Sequence, residues 1–417
     1  MLNINKILFT LILILVINGI GFAQQVLKLD SVLKIIAENN LELKAYGSII
    51  KSQDEAVKGA KAQPAPIVGV GNFLRPYSTR GLSPGNGRGD FMISADQEII
   101  NPAKLKANEN YLKSKSAITN FQQSVNYNEL KAMAKGFYYE IIIAKKQLTF
   151  IQYQSRIIET LKKLAEIRYP YNKGNLNTIF EADAKIYEVQ NEELMLKAKI
   201  ESGFVKLNLL MNKSIDFPFN VDTTYFSHFA PIKNFSSTYL QDRVSEIKQM
   251  DEQIKSSQLN TKLMQTQFKP DLKIAFDHMT PYGNNMPLNY TARVGVTIPI
   301  APWSVKSYKS ALKMNEFEID AKQEQKDALI NNLTSIIKSA EIEVAYHQLI
   351  NSNYEQKIIP AMKKNFEILM LNYQENKAEL PMVLDAWEKL NNTKMNYINE
   401  LSRYYQTIVQ YEKALEI

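Results

Sequence analysis

The sequence predicts a mainly helical chain that also carries β-strands of membrane-crossing length, built from one helix–strand–strand–long helix–tip–helix unit used twice. Three observations predict this. A tip motif recurs: Tyr171-Asn-Lys-Gly174 leading to Asp183-Ala184 returns as Tyr373-Gln-Glu-Asn376 leading to Asp385-Ala386, each matched residue offset by 202. Four runs of β type, at about 66–74, 90–99, 271–279 and 290–300, fall into two pairs placed alike in the two halves. Between them the chain reads as helix, with apolar residues in alternating steps of three and four.

Residues 1–23 read as a secretory signal peptide: Lys6, an apolar run from Ile7 to Ile17, and small residues ending at Ala23. No later run approaches the ~20 consecutive apolar residues of a spanning helix. The first repeat is then 24–211. Its opening helix, with Asp30 or Ser31 as N-cap, is expected to run to about Ala62, where Gln63-Pro64-Ala65-Pro66 stops it. Ile67 to Phe73 and Asp90 to Ile99 are strand-like runs around a loop rich in Gly, Ser and Pro.

From Ala103 to Tyr169 there is no proline and one glycine, Gly136, and a seam runs through Leu130, Met133, Phe137, Ile141, Ala144, Leu148 and Ile151. At ~1.5 Å per residue this helix would reach ~100 Å, too long for one globular core. Beyond a tip at about 170–177 the return helix carries Ile186, Val189, Leu196, Ile200, Leu207 and Leu210 on one stripe. Residues 212–235, with Pro218 and Pro231, read as an irregular linker.

The second repeat, 236–417, follows the same plan. A helix from about Tyr239 ends at Phe268-Lys-Pro270, the strands follow, and helix resumes near Ser304 with a kink expected near Pro360. The second tip lies at about 373–380, and the last helix carries Val383, Trp387, Leu390, Lys394, Tyr397, Leu401, Tyr404, Ile408 and Tyr411. Gly174 and Asn376 suit a left-handed turn at the tips.

Composition narrows the function. With no cysteine and 3 His, a disulfide framework, a cysteine-ligated metal or a lipidated N-terminal cysteine is excluded, and a histidine metal cluster is disfavoured. The formal charge of +7 comes from Lys and Arg interspersed with acids, which marks solvated helix faces rather than a nucleic-acid footprint. There is no nucleophile–base pair and no cofactor fingerprint, so neither an enzyme nor a cofactor is expected. Arg88-Gly-Asp90 and Gly85-Asn-Gly87-Arg-Gly89 read as chance loop sequences, and the 14 Met as core gap-fillers, although thioethers also admit metal handling.

The strands match the ~9–11 residues of a tilted bilayer-crossing strand. In one of them Ala292, Val294, Val296 and Ile298 alternate with Arg293, Gly295 and Thr297. A sheet in lipid must close, and four strands are fewer than the ~8 of the smallest membrane barrels, so several copies must pool their strands. This arithmetic leaves two, three or four copies open.

The chain resembles the TolC-like outer-membrane efflux family over essentially its whole mature length. The resemblance rests on Leu29-Asp30-Ser-Val-Leu with Asn40-Leu-Glu-Leu-Lys44, the Gln63-Pro64 helix end, the strand–Pro302 junction, both tips, and above all Val383-Leu-Asp385-Ala386. It implies a homotrimer in the outer membrane: a 12-stranded β-barrel in outer-membrane lipid, continued by a periplasmic α-helical barrel. It also implies partners, a periplasmic adaptor (membrane fusion) protein and an inner-membrane pump of RND type, and a passive duct for small toxic solutes, drugs or metal ions. Ile298-Pro-Ile-Ala-Pro-Trp303 is similar to the heavy-metal and copper/silver branch.

On this resemblance Tyr373 and Asp385 fall on gate positions, with Asp183 as a second acidic residue, and Gly174, Asn175, Asn376 and Lys377 form the tips that an adaptor would grip. Two departures stand out. The family's basic residue after the second tip corresponds to Ala378, and its carboxylate one turn before Asp385 corresponds to Met382, with Phe180 at the matching place in the first repeat. A closed aperture would then rely more on apolar packing. The competing readings are the duct of a type I protein secretion system and, from another class, a non-pore periplasmic coiled-coil scaffold or adaptor.

Overall fold

A computed structural model describes residues 25–77, 89–171, 175–224, 229–232, 236–283, 286–299 and 302–417, apart from the side chains of Pro302 and Ser304. The signal-peptide reading, the loop motifs at 85–88, Gly174, and Ile300-Ala301 lie outside the described residues. In chain order the first elements are β1 (Gln25–Leu27), α1 (Leu29–Asn39), α2 (Leu41–Gly59), β2 (Ile67–Phe73), β3 (Asp90–Ile99), α3 (Pro102–Arg168), α4 (Leu176–Leu210) and β4 (Phe219–Val221). Then follow α5 (Ser237–Arg243), α6 (Ser245–Thr266), β5 (Leu272–Pro281), β6 (Asn289–Val296), α7 (Pro302–Asn353), a π turn (Tyr354–Ile358), α8 (Ile359–Gln374) and α9 (Leu380–Leu415). No described helix is long and apolar enough to cross a membrane.

The chain divides into two compact units, one formed by Ala45–Val125 and Ser237–Asn332, the other by the remaining segments. In the first unit β2-β3-β5-β6 make one antiparallel sheet in that order. Side chains of directly opposed residues share a face. Val68, Ala95, Phe276 and Ala292 therefore lie in one row, Val70, Ile93, His278 and Tyr290 in the next, and Gln97, Ile274 and Val294 beyond. The opposite face carries Ser94, Asp277 and Thr291 in one row and Asp96, Ala275 and Arg293 in another, with Arg293 Nη2 2.8 Å from Asp277 Oδ2. One face is thus largely apolar and exposed in the chain, with Val70 and Val294 each 73% accessible, and the other is largely polar, although Ile67, Met92 and Met279 also lie on it.

Several sequence expectations shift here for local reasons. The strand expected to reach 300 ends at Val296; Thr297 N still donates to Asp271 O, but Pro299 lacks an N–H to extend the ladder. Helix resumes at Pro302, where the missing N–H costs nothing in a first turn. Gly89, at φ +75°, cannot be replaced without strain, because a Cβ there would lie 2.5 Å from Phe73 O. Below the sheet Asn315, 1% exposed, donates through Nδ2 to Ser257 O at 2.8 Å and to Thr261 Oγ1 at 2.5 Å, tying α7 to α6.

The second unit is held by two cores. In one, α1, α3, α4 and α9 pack Ile36, Tyr138, Ile141, Leu207 and Ile408 together. The opening helix does not run on to Ala62: it breaks at Asn40, whose Oδ1 accepts from Glu42 N (3.0 Å) and Leu43 N (3.3 Å), capping a new helix, while its Nδ2 donates to Leu210 O. The stretch expected to be irregular contains β4, which pairs in parallel with β1. The Tyr138 hydroxyl donates to Leu27 O and accepts from Asp222 N, both at 2.8 Å, pinning the two strands to α3. Gly203 lets α4 lie close on α3, since a Cβ would meet Ile141 Cγ1 at 2.6 Å.

Candidate functional site

The second core leads to the helix tips. It joins Ile158, Leu161 and Ala165 of α3, Ile179, Ala182 and Ile186 of α4, and Tyr373, Leu380, Val383 and Trp387 of α8 and α9. Helix α8 ends in a Schellman turn: Asn376, at φ 58°, donates from its N–H to Tyr373 O, and Lys377 N donates to Asn372 O at 2.7 Å. A left-handed residue is needed there, and asparagine tolerates that region better than any residue but glycine.

The two tips meet through Arg168, the last residue of α3. Its Nη1 donates to Tyr373 O at 2.6 Å and its Nη2 to Gln374 O at 2.9 Å, so a cation caps the carbonyl end of another helix. The guanidinium also stacks 4.4 Å from the centroid of the Tyr373 ring. Tyr373 is 3% exposed, and burial pushes its phenol pKa up, against the opposing pull of Arg168. Beside this contact lies a cavity of about 360 Å³ lined by Arg168, Asn175, Thr178, Tyr373, Asn376 and Glu379, among others.

The other tip residues are distributed unevenly. Asn175 is the N-cap of α4 through its backbone, with Thr178 N and Oγ1 donating to Asn175 O at 3.2 and 2.7 Å. Phe180 and Met382 are exposed. Asp183 Oδ1 lies 2.6 Å from Lys162 Nζ, which raises the lysine pKa. Asp385 is exposed, with Lys389 Nζ at 2.8 Å one turn on, and Lys377 pairs with Glu375 at 2.6 Å.

Sequence reasoning brought Tyr373 to this site but missed Arg168, Lys162 and Lys389. A basic residue in the last turn of a long helix, three residues before the tip tyrosine Tyr171, was the available signal for Arg168. Among the described residues no three His, Asp or Glu side chains gather as a metal site.

Among the described residues, α3 is joined to the end of α8 through Arg168, and the four-stranded sheet carries one largely apolar face. No family model and no curated protein matches the sequence. Solved structures do. The outer-membrane channel OprN matches at TM-score 0.76 and 12% identity over 93% of this chain and 89% of its own. CusC, known from structures that follow folding and transmembrane channel formation, matches at TM-score 0.76 and 14% identity over 93% and 91%. VceC of Vibrio cholerae, an outer-membrane protein, matches at TM-score 0.73 and 14% identity over 93% and 95%. The chain therefore has the fold of the TolC-like outer-membrane channels, and OprN and CusC among these neighbours are described as channels.

Proposed function

We propose that this chain is the outer-membrane exit duct of a tripartite efflux system, a passive conduit whose transport energy comes from its partners. The sheet carries the reading. Its apolar face suits lipid and its polar face suits a water-filled lumen, while edge strands β2 and β6 each pair on one side only among the described residues. In hydrocarbon an open edge leaves backbone groups unpaired. Three copies of four strands would close the edges as a 12-stranded barrel, in the homotrimer that the fold class implies.

On this reading the two halves are a duplication, the helices extend through the periplasm, and the tips meet a periplasmic adaptor and an RND-type inner-membrane pump. The cargo class is small toxic solutes, drugs or metal ions. Tyr373, Phe180 and Met382 supply apolar packing at the inner aperture, and Asp183 and Asp385 its acidic groups, each partly compensated by a lysine of the same chain. Gly174, Asn175, Asn376 and Lys377 form the adaptor's grip. Fractionation and planar-bilayer conductance test this: an outer-membrane, ion-conducting protein is expected, and a soluble, non-conducting periplasmic protein would overturn it. Asp385→Ala should lower cation selectivity; unchanged selectivity would remove Asp385 from the aperture.

A further inference from the structure

Two amide side chains interrupt the apolar second core at one level. Gln154 of α3, 1% exposed, lies between Ile151 and Ile158, which are buried in that core together with Trp387 of α9. Asn391, 9% exposed, belongs to a heptad row of α9 with Ile398, Tyr405 and Glu412. That row faces α3, since the Tyr405 ring stacks on Tyr139 at 4.9 Å and the Glu412 carboxylate accepts from Lys135 Nζ at 2.5 Å. Gln154 shares a heptad row of α3 with Gln147, Leu161 and Arg168. This row faces α8 and α9, since Gln147 Nε2 donates to Asn399 Oδ1 at 2.9 Å and Arg168 reaches the end of α8.

The two helices run in opposite directions. The contacts Tyr139–Tyr405, Gln147–Asn399 and Phe150–Lys394 advance along α3 as they step back along α9. One turn past Phe150 is Gln154, and one turn before Lys394 is Asn391, so the two amides come level, with Trp387 a turn further on. Gln154 Oε1, Gln154 Nε2, Asn391 Oδ1 and Trp387 Nε1 are buried and have no hydrogen-bond partner among the described residues. Buried polar atoms ordinarily have one, and interiors hold bound water where several such atoms gather.

We propose that Gln154, Asn391 and Trp387 form an internal water-binding site in the second core. The Gln154 amide and the Trp387 indole donate to the water, and the Gln154 and Asn391 carbonyl oxygens accept from it, which matches the two donors and two acceptors that water requires. The bridge ties α3 to α9 across a largely apolar core and fixes their register, because a slip of one turn would set Asn391 against Ile151 or Ile158. The site lies inside one chain and does not depend on the duct.

Two measurements on the assembled full-length protein test it. A density map that shows ordered water should hold a peak about 2.7–3.2 Å from the polar atoms of Gln154, Asn391 and Trp387. The absence of a peak, or a direct Gln154–Asn391 amide bond, would overturn the site. Hydrogen exchange reads its strength. Gln154→Leu keeps the volume and removes two of the four partner atoms, so exchange of the 387–394 amides should rise about tenfold, as it should in Asn391→Leu. In the double variant the rise should stay below the product of the two, because the second substitution removes a bridge already broken. Slower exchange in Gln154→Leu, the response of a dry core relieved of an unpaired amide, or effects that multiply in the double variant, would equally refute it.

Discussion

Replacing Arg168 by alanine should loosen the second tip locally. Two donated bonds are lost, at 2.6 and 2.9 Å, together with a stacked contact on Tyr373. A hydrogen bond from a charged donor contributes ~1.5–3 kcal/mol. The Nη1 bond, to the carbonyl of a buried tyrosine, warrants the low end of that range, and the more exposed Nη2 bond about a third of it. The stacking adds ~0.5–1 kcal/mol at a partly wetted site. Partial rehydration of the freed carbonyls offsets some of the sum, leaving ~2–3 kcal/mol, or about a 30- to 140-fold rise in local opening. Asn376 N, bonded to Tyr373 O, and Lys377 N, bonded to Asn372 O, are the reporters. Their exchange should accelerate by that factor in the variant while amides around Ile200 stay as they were; Arg168→Lys, keeping the charge without the planar fork, should fall between. A change below about threefold at both amides would refute the reasoning.

Three further outcomes follow from separate contacts. Asn376→Val should lower thermal stability by ~1–2 kcal/mol, because a β-branched residue is strained at φ 58°, whereas Asn376→Gly should be close to neutral; differential scanning calorimetry distinguishes them. Tyr138→Phe should lower the urea midpoint by the equivalent of ~1–3 kcal/mol, since it strips Leu27 O and Asp222 N of their partner at once. Glu109, flanked by Lys113 and Lys61 at 2.8 Å each, has its pKa held down at about 2 by their hydrogen bonds. A depressed folded-state pKa contributes stability that is present above the ordinary carboxylate value and lost as pH falls toward 2. Glu109→Gln should therefore show a smaller drop in urea midpoint than the wild type between pH 6 and pH 3.

How far the sequence could be read depended on the range of the interactions. The stripe Ile186, Val189, Leu196, Ile200, Leu207 and Leu210 is buried throughout, because helical periodicity records a face directly. The α3 seam is less regular: Ile141 and Ala144 are fully buried but Met133 is 48% exposed, as a 3.5-residue pattern drifts around a 3.6-residue helix. Lys394, the one charged residue in the last seam, lays its ammonium 5.0 Å from the Phe150 ring, an accommodation that periodicity cannot announce. Strand alternation was legible in Ala292 to Val296, though not the end of that strand, and β4 was not legible at all. Three residues carry no pattern, and its partner β1 lies about 190 residues earlier. Arg168 escaped for the same reason, since its partners are 205 and 206 residues away. The kink at Pro360 was legible as a fault in the helix but not as a π turn, which is set by how the neighbouring helices constrain the chain.

The account turns on which face of the sheet meets lipid, and the chain has no cysteine, so single introduced thiols report without background. Cysteines placed singly at Val70, Ile93, Phe276 and Val294, and at Ser94, Asp277 and Thr291 on the other face, can be treated in native outer membranes with a water-soluble maleimide. Labelling confined to the second set is predicted, with the first set reached only by a lipid-soluble reagent. Equal labelling of both sets by the water-soluble reagent would contradict a membrane-spanning sheet and, with it, the duct.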